Sequence, residues 1–132
     1  MEFKVIHRYA PMSASKARPV AVLVRGMPVN AALETLEFIP RRAAPMLKKL
    51  IKSAIANAGQ VGGVEASQLR VKTALADCGP LKQGRLRWRP GPRGRACPIR
   101  KRSCHLTVVL ETAEAAPERR RERRARAGGK ES

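Results

Sequence analysis

From Cys78 to Leu110 the sequence contains no aspartate or glutamate, yet it carries nine basic residues: Lys82, Arg85, Arg87, Arg89, Arg93, Arg95, Arg100, Lys101 and Arg102. Its middle reads Arg-Leu-Arg-Trp-Arg-Pro-Gly-Pro-Arg-Gly-Arg over residues 85–95. No alternative apolar face is evident there, so the segment does not belong to a packed core. Pro90, Gly91, Pro92 and Gly94 are turn and breaker signals and predict a reversal near residues 90–94. Each leg then runs for about 13 residues, on the order of 40 Å at strand rise. A two-stranded ribbon of this length, with no core and with like charges repelling, is not stable alone in water. It makes sense as an arm that a polyanion screens. Arginine forks grip phosphate in a bidentate fashion and stack on bases. Glycine permits close backbone approach, and proline lowers the entropy lost on ordering. A solvated basic loop is the plainer alternative, and charge alone does not separate RNA from DNA.

The remaining sequence supplies a body. Residues 2–9 alternate as a strand, with Phe3, Val5 and His7 on one side and Lys4, Ile6 and Arg8 on the other. A first helix is predicted after Ser13 or Ser15, either of which suits an N-cap. Its inward residues are Ala17, Val20, Ala21 and Val24, Pro19 falls near the first turn, and Gly26 provides the stop. A short second helix fits Asn30 to Phe38, with Asn30 as cap, Ala32, Leu33 and Leu36 inward, and Phe38 as a further inward candidate. Residues 41–59 form a third helix with a wide apolar stripe of Ala43, Leu47, Leu50, Ile51, Ala54, Ile55 and Ala58. Gly59 and the pair Gly62-Gly63 mark its exit. Leu69, Val71, Thr73 and Leu75 alternate with Arg70, Lys72, Ala74 and Ala76 as a second strand. Leu106, Val108 and Leu110 alternate with Thr107, Val109 and Glu111 as a third. The domain is thus expected to span 1–112, with a hairpin arm at about 78–105. Residues 113–132, with seven basic residues among four glutamates and no bulky apolar ones, read as a charged, disordered tail.

Twenty-eight Lys and Arg against ten Asp and Glu give a net charge of +18 in 132 residues. A small chain so basic is drawn to polyanions, of which nucleic acid is the usual one. No apolar run approaches the roughly 20 residues needed to cross a bilayer, so no membrane is expected and the cytoplasm is the predicted compartment. Three cysteines, Cys78, Cys97 and Cys104, fit no disulfide framework. With His105 they lack the Cys-x-x-Cys spacing of a zinc knuckle, so no metal is expected. A thiol nucleophile with His7 or His105 as base has nothing to fix its geometry. Asp77 has no evident catalytic partner and reads as a strand-end residue or an arginine's ion-pair partner. No enzyme, cofactor or small-molecule substrate is therefore predicted. Aromatics are few (Phe3, Tyr9, Phe38 and Trp88), which disfavours a multi-base stacking platform. Trp88 is expected to stack on a base rather than to nestle against the body, while His105 is equally suited to a structural hydrogen bond or an RNA contact.

Several segments, in order, resemble one family. Ser13-Ala-Ser-Lys-Ala-Arg-Pro-Val-Ala-Val-Leu-Val-Arg-Gly26 is similar to the opening helix of the large-subunit ribosomal protein L-twenty-two family. Ala43-Ala44, Lys48-Lys49 and Ser53-Ala-Ile-Ala-Asn-Ala58 resemble its long helix. Asp77-Cys-Gly-Pro80, Gly94-Arg-Ala96 and Ile99-Arg-Lys-Arg-Ser-Cys-His-Leu-Thr-Val-Val109 resemble its hairpin and last strand. The resemblance implies an α+β fold of three helices packed on a three-stranded antiparallel sheet, with a long extended β-hairpin arm. It also implies a structural protein of the large ribosomal subunit. Its partners would be large-subunit ribosomal RNA, neighbouring large-subunit ribosomal proteins and the nascent polypeptide in the exit tunnel. Carried over, the basic residues from Lys82 to Arg102, with Trp88, would contact RNA. Lys16 and Arg18 match basic family positions, and Arg8 in the first strand joins them. Trp88, Arg89, Pro90, Gly91, Pro92, Arg93, Gly94 and Arg95 would form the tunnel-lining tip. The tip is a few residues longer than the family's usual one. Cys78 stands where an acidic residue is common, and Cys104 where serine or threonine is usual. The tail has no counterpart in short members.

Overall fold

The computed structural model describes residues 1–112; the charged tail read at 113–132 lies outside the described residues. The order of elements is β1 (Glu2–Ala10), α1 (Ala14–Val24), α2 (Val29–Phe38), α3 (Ala43–Gly62), β2 (Leu69–Leu81), β3 (Arg87–Pro90), β4 (Ala96–Ile99) and β5 (Arg102–Thr112). Three strands form one antiparallel sheet in the order β1-β5-β2, and β3 and β4 form a separate two-stranded ribbon. The fold is α+β with an extended hairpin.

β5 takes the centre because it is the most apolar strand on one face. Leu106, Val108 and Leu110 are fully buried, and they sit beside Phe3 and Val5 of β1 and Val71 and Ala74 of β2. Onto that face α3 lays its stripe: Ala43, Leu47, Leu50, Ile51, Ala54 and Ala58 are buried and Ile55 is half-buried. α1 packs on β2, α3 on β1 and β5, and α2 on α3. The opposite sheet face stays open, with Lys4, Ile6, Arg8 and Leu75 exposed.

The second strand departs from simple alternation. Val71 faces Leu110 and Thr73 faces Val109, so the register slips by one residue at Lys72. Such a bulge moves the following side chains to the other face. Ala74 and Ala76 therefore point into the core, and Leu75, expected beside Leu69 and Val71, is exposed.

The helix starts also differ from expectation. α2 begins at Val29 with Pro28 as N-cap, and Asn30 is an exposed first-turn residue rather than the cap. Pro28 forms an antiparallel bridge with Arg70 and so keeps extended backbone, with ψ 147°; the helix starts directly after it. Phe38 is 86% exposed; two positions beyond buried Leu36, it lies about 200° further round the helix. Ser13 does occupy the N-cap position of α1, but its Oγ pairs with Ser15 Oγ at 3.1 Å and caps no backbone N–H. Pro19 consequently falls in the second turn rather than the first. The carbonyl it leaves without a helical donor belongs to exposed Ser15. α3 runs past Gly59 and ends at the Gly62-Gly63 pair.

β2 is an edge strand, and its free rim is covered. Arg18 Nε donates to the Ala76 carbonyl at 3.2 Å, and Arg25 Nε to the Ala74 carbonyl at 2.7 Å. Gly26 N–H donates to the Val71 carbonyl at 2.7 Å, and Val71 N–H to that of Met27 at 2.9 Å. These bonds satisfy backbone groups that would otherwise recruit another strand.

Candidate nucleic-acid interface

The arm grows out of the two longest strands. β2 and β5 stay paired as far as Leu81 and Arg102, and Lys82 N–H donates to the Lys101 carbonyl at 2.7 Å. The root therefore lies near 81 and 102, a few residues further out than 78 and 105. Gly79 lets the legs close there. A Cβ at this position would stand 2.6 Å from Ser103 Oγ and 3.2 Å from the Ser103 carbonyl carbon. Ser103 Oγ in turn donates to the Pro80 carbonyl at 2.6 Å.

Beyond the root the ladder breaks. Gln83 and Gly84 both adopt positive φ, at 61° and 65°, and five residues (82–86) on one leg face two (100–101) on the other. Pairing resumes as Arg87 with Ile99, Trp88 with Pro98, Arg89 with Cys97 and Pro90 with Ala96. The reversal occupies residues 91–95, one position beyond the expected 90–94 because Pro90 still pairs with Ala96, and is closed by Gly91 N–H donating to the Arg95 carbonyl at 2.7 Å. A Cβ on Gly91 would meet that carbonyl oxygen and Cys97 Sγ, each at 3.1 Å. The arm is thus a segmented hairpin rather than one continuous ribbon.

Nearly every side chain from 82 to 98 is exposed, and Trp88 is 61% exposed. Side chains alternate across a ribbon, so the register gives the outer segment two faces. Arg87 and Arg89 share one with Cys97 and Ile99. Trp88 and Pro90 share the other with Ala96 and Pro98. The second face is apolar and open to solvent. Sequence reading missed it because its four members come from two legs, and only the register brings them together. Trp88 is not tucked against the body.

The other predicted contact residues are distributed as follows. Lys82, Arg100, Lys101 and Arg102 gather at the root, Arg85 lies in the broken segment, and Arg93 and Arg95 flank the tip. Arg8 is exposed on the open sheet face. Arg18 is exposed but partly committed: besides its bond to Ala76, its Nη2 lies 3.9 Å from Cys78 Sγ. Lys16 is exposed in the first turn of α1. His105 makes a structural contact, accepting Tyr9 N–H at Nδ1 at 3.0 Å while the two rings meet edge-on with centroids 5.0 Å apart.

Among the described residues the acidic groups belong to the body. Glu111 is buried in the body, with Oε1 3.6 Å from Arg70 Nε and Oε2 3.9 Å from Lys72 Nζ. Glu2 pairs with Lys72, and Glu37 with Lys48. These hydrogen-bonded cations hold the Glu2 and Glu37 carboxyls below the ordinary range, and Glu2 raises Lys72. Asp77 faces His105 across β2 and β5 and makes no ion pair among the described residues. No group of three or more His, Cys, Asp or Glu residues that could hold a metal ion occurs among the described residues. No helix among them is long and apolar enough to cross a membrane.

Body, root and cationic arm together match one known family. Residues 5–111 match the family described as ribosomal protein L22p/L17e. The chain belongs to this family. Among L22 relatives, it is similar to the large ribosomal subunit protein uL22 of Desulfatibacillum aliphaticivorans, at 44% identity over 111 residues, covering 84% of this chain and 99% of the relative. It is likewise similar to the uL22 protein of Bdellovibrio bacteriovorus, at 46% identity over 111 residues, covering 84% of this chain and 98% of that relative. The stretch shared with the L22 family includes the whole arm.

Proposed function

We propose that the chain works by threading its arm through folded large-subunit ribosomal RNA. As an L22-family protein it is a structural constituent of the large ribosomal subunit and not an enzyme. It associates with the ribosomal RNA and proteins of that subunit in the cytoplasmic ribosome. The observation that carries the threading mechanism is the exposed, acid-free arm, whose side chains from 82 to 98 find almost no cover among the described residues.

In this reading residues 1–112 act as one domain. Lys82, Arg85, Arg87, Arg89, Arg93, Arg95, Arg100, Lys101 and Arg102 neutralise phosphates along the RNA path, and Arg8, Lys16 and Arg18 contact RNA from the body. Each neutralised phosphate releases counterions, which supplies affinity without base specificity. Trp88 contacts a base, presenting the apolar face of the ribbon. Trp88 to Arg95 form a tip at the wall of the exit tunnel, beside the nascent polypeptide. Ordering the arm costs conformational entropy, which the phosphate contacts offset. By holding RNA segments together, the arm supports subunit assembly.

The test is a quadruple variant, Arg93→Gln, Arg95→Gln, Arg100→Gln and Lys101→Gln. It is expected to fold normally and to be depleted from large subunits sedimented at high salt. Full incorporation of this variant would overturn the arm's role. If the wild-type protein failed to co-sediment with large subunits at high salt and bound unrelated duplexes equally well, a general nucleic-acid chaperone would be the better description.

A further inference from the structure

We propose that Cys78 and Cys104 are a redox-modification site: in the free protein a hydroperoxide joins them in a reversible cross-strand disulfide in the body sheet, just below the root of the arm. The two residues are direct partners across β2 and β5. They share a sheet face, since each lies two positions along its strand from a core residue, Ala76 and Leu106 respectively. Both are free thiols.

The backbone geometry favours a bridge. The Ala74 and Ala76 carbonyls accept bonds from Arg25 and Arg18 on the outer rim of β2, so they point away from β5. The register is unbroken from Thr73 to Cys78, and strand period two gives Cys78 the same orientation. Cys78 and Cys104 are therefore a non-hydrogen-bonded pair, the type whose Cα atoms approach to about 4.5 Å. That lies inside the range of about 4.4–6.8 Å that disulfides span.

The two sulfurs divide the work. Cys78 is exposed, with the Arg18 guanidinium 3.9 Å from its Sγ, and is the one an oxidant reaches. Cys104 is fully buried beside it. Burial, with the neighbouring Cys78 adding to it, pushes the Cys104 thiol up, so it rests protonated and shielded. In the first step Cys78 sulfur, as thiolate, attacks the peroxide. An S–O bond forms and the O–O bond breaks; the alkoxide takes a proton and leaves as alcohol, or as water from hydrogen peroxide. In the second step Cys104 sulfur attacks Cys78 sulfur. The S–S bond forms, the S–O bond breaks, and hydroxide leaves with the Cys104 proton as water. Two thiols lose two electrons in all, and one peroxide gains them. The product ties β2 to β5 just below the point where the legs leave the body.

The full-length protein is reduced, freed of reductant and treated natively with hydrogen peroxide. It is then denatured, blocked with N-ethylmaleimide and mapped by mass spectrometry. Two of the three thiols are expected to be lost, with Cys78 linked to Cys104, Cys97 alkylated, and full recovery with dithiothreitol. Cys97→Ser should leave the bridge intact. Cys78→Ser, at an exposed position, should leave both other thiols alkylatable. A native product that is a mixture of all three pairings would overturn the proposal. So would Cys78 sulfinic acid beside a free Cys104, or no oxidation at all.

Discussion

The β2–β5 and β3–β4 pairings share antiparallel strand geometry and differ in what covers them. Between β2 and β5 the inward residues Val71, Ala74, Leu106, Val108 and Leu110 are fully buried under α1 and α3. Between β3 and β4 each facing pair is open to solvent or, at Ile99, half so. Both ribbons carry the same kind of backbone ladder, so hydrogen bonding does not account for the contrast. Apolar burial does, at about 25 cal/mol per Å² removed from water. The first ribbon is held by its own protein, and the second, on our account, depends on a partner that supplies counter-charge.

The comparison breaks most visibly in the core. Leu106→Ala should destabilise the protein by about 2–5 kcal/mol, read as a lower denaturant midpoint. Leu86→Ala in the arm should stay within about 0.5 kcal/mol. Equal losses would mean that the arm is part of the folded unit. Next in size is RNA affinity. The quadruple neutralisation of Arg93, Arg95, Arg100 and Lys101 should flatten the log–log salt dependence of binding to ribosomal RNA by about 3, at roughly 0.7–0.9 per phosphate contact, with the melting curve unmoved. An unchanged slope would remove phosphate neutralisation from the mechanism.

How far the sequence revealed this division depends on the element. The α3 stripe and the alternation of β5 were legible because one period runs unbroken through each. The face of Leu75 was not, because one extra residue at Lys72 inverts everything after it, and no local signal marks the slip. Asn30 has the right chemistry for a cap, but a tertiary bridge from Pro28 to Arg70 sets the start of α2. In the arm, charge and the turn at 90–94 were plain. The break at Gln83-Gly84, the apolar face of Trp88, Pro90, Ala96 and Pro98, and the meeting of Cys78 with Cys104 all depend on register. Register is a property of two segments far apart in the chain.

Smaller effects sharpen the account of the body. Arg25→Ala removes the bond to the Ala74 carbonyl on the rim of β2 and should cost about 1 kcal/mol, measured by urea denaturation. The smallest effect is acid sensitivity. The Glu2 carboxyl is lowered from 4.5 mainly by its hydrogen bond to Lys72. Its contribution is thus present above pH 4.5 and fades as pH falls through the lower folded value. Because the pair is exposed, Lys72→Met should only slightly reduce the loss of stability below pH 4.5. A stability profile in which the variant lost more than wild type over that interval would contradict the sign.

Amide hydrogen exchange on the full-length protein, with and without large-subunit ribosomal RNA, addresses the contrast most directly. Without RNA, amides at 82–99 should exchange almost as fast as unstructured peptide while those at 104–110 stay strongly protected, and adding RNA should slow the first group. Equal protection of both groups in the protein alone would show that the finger holds itself in place, contrary to our account.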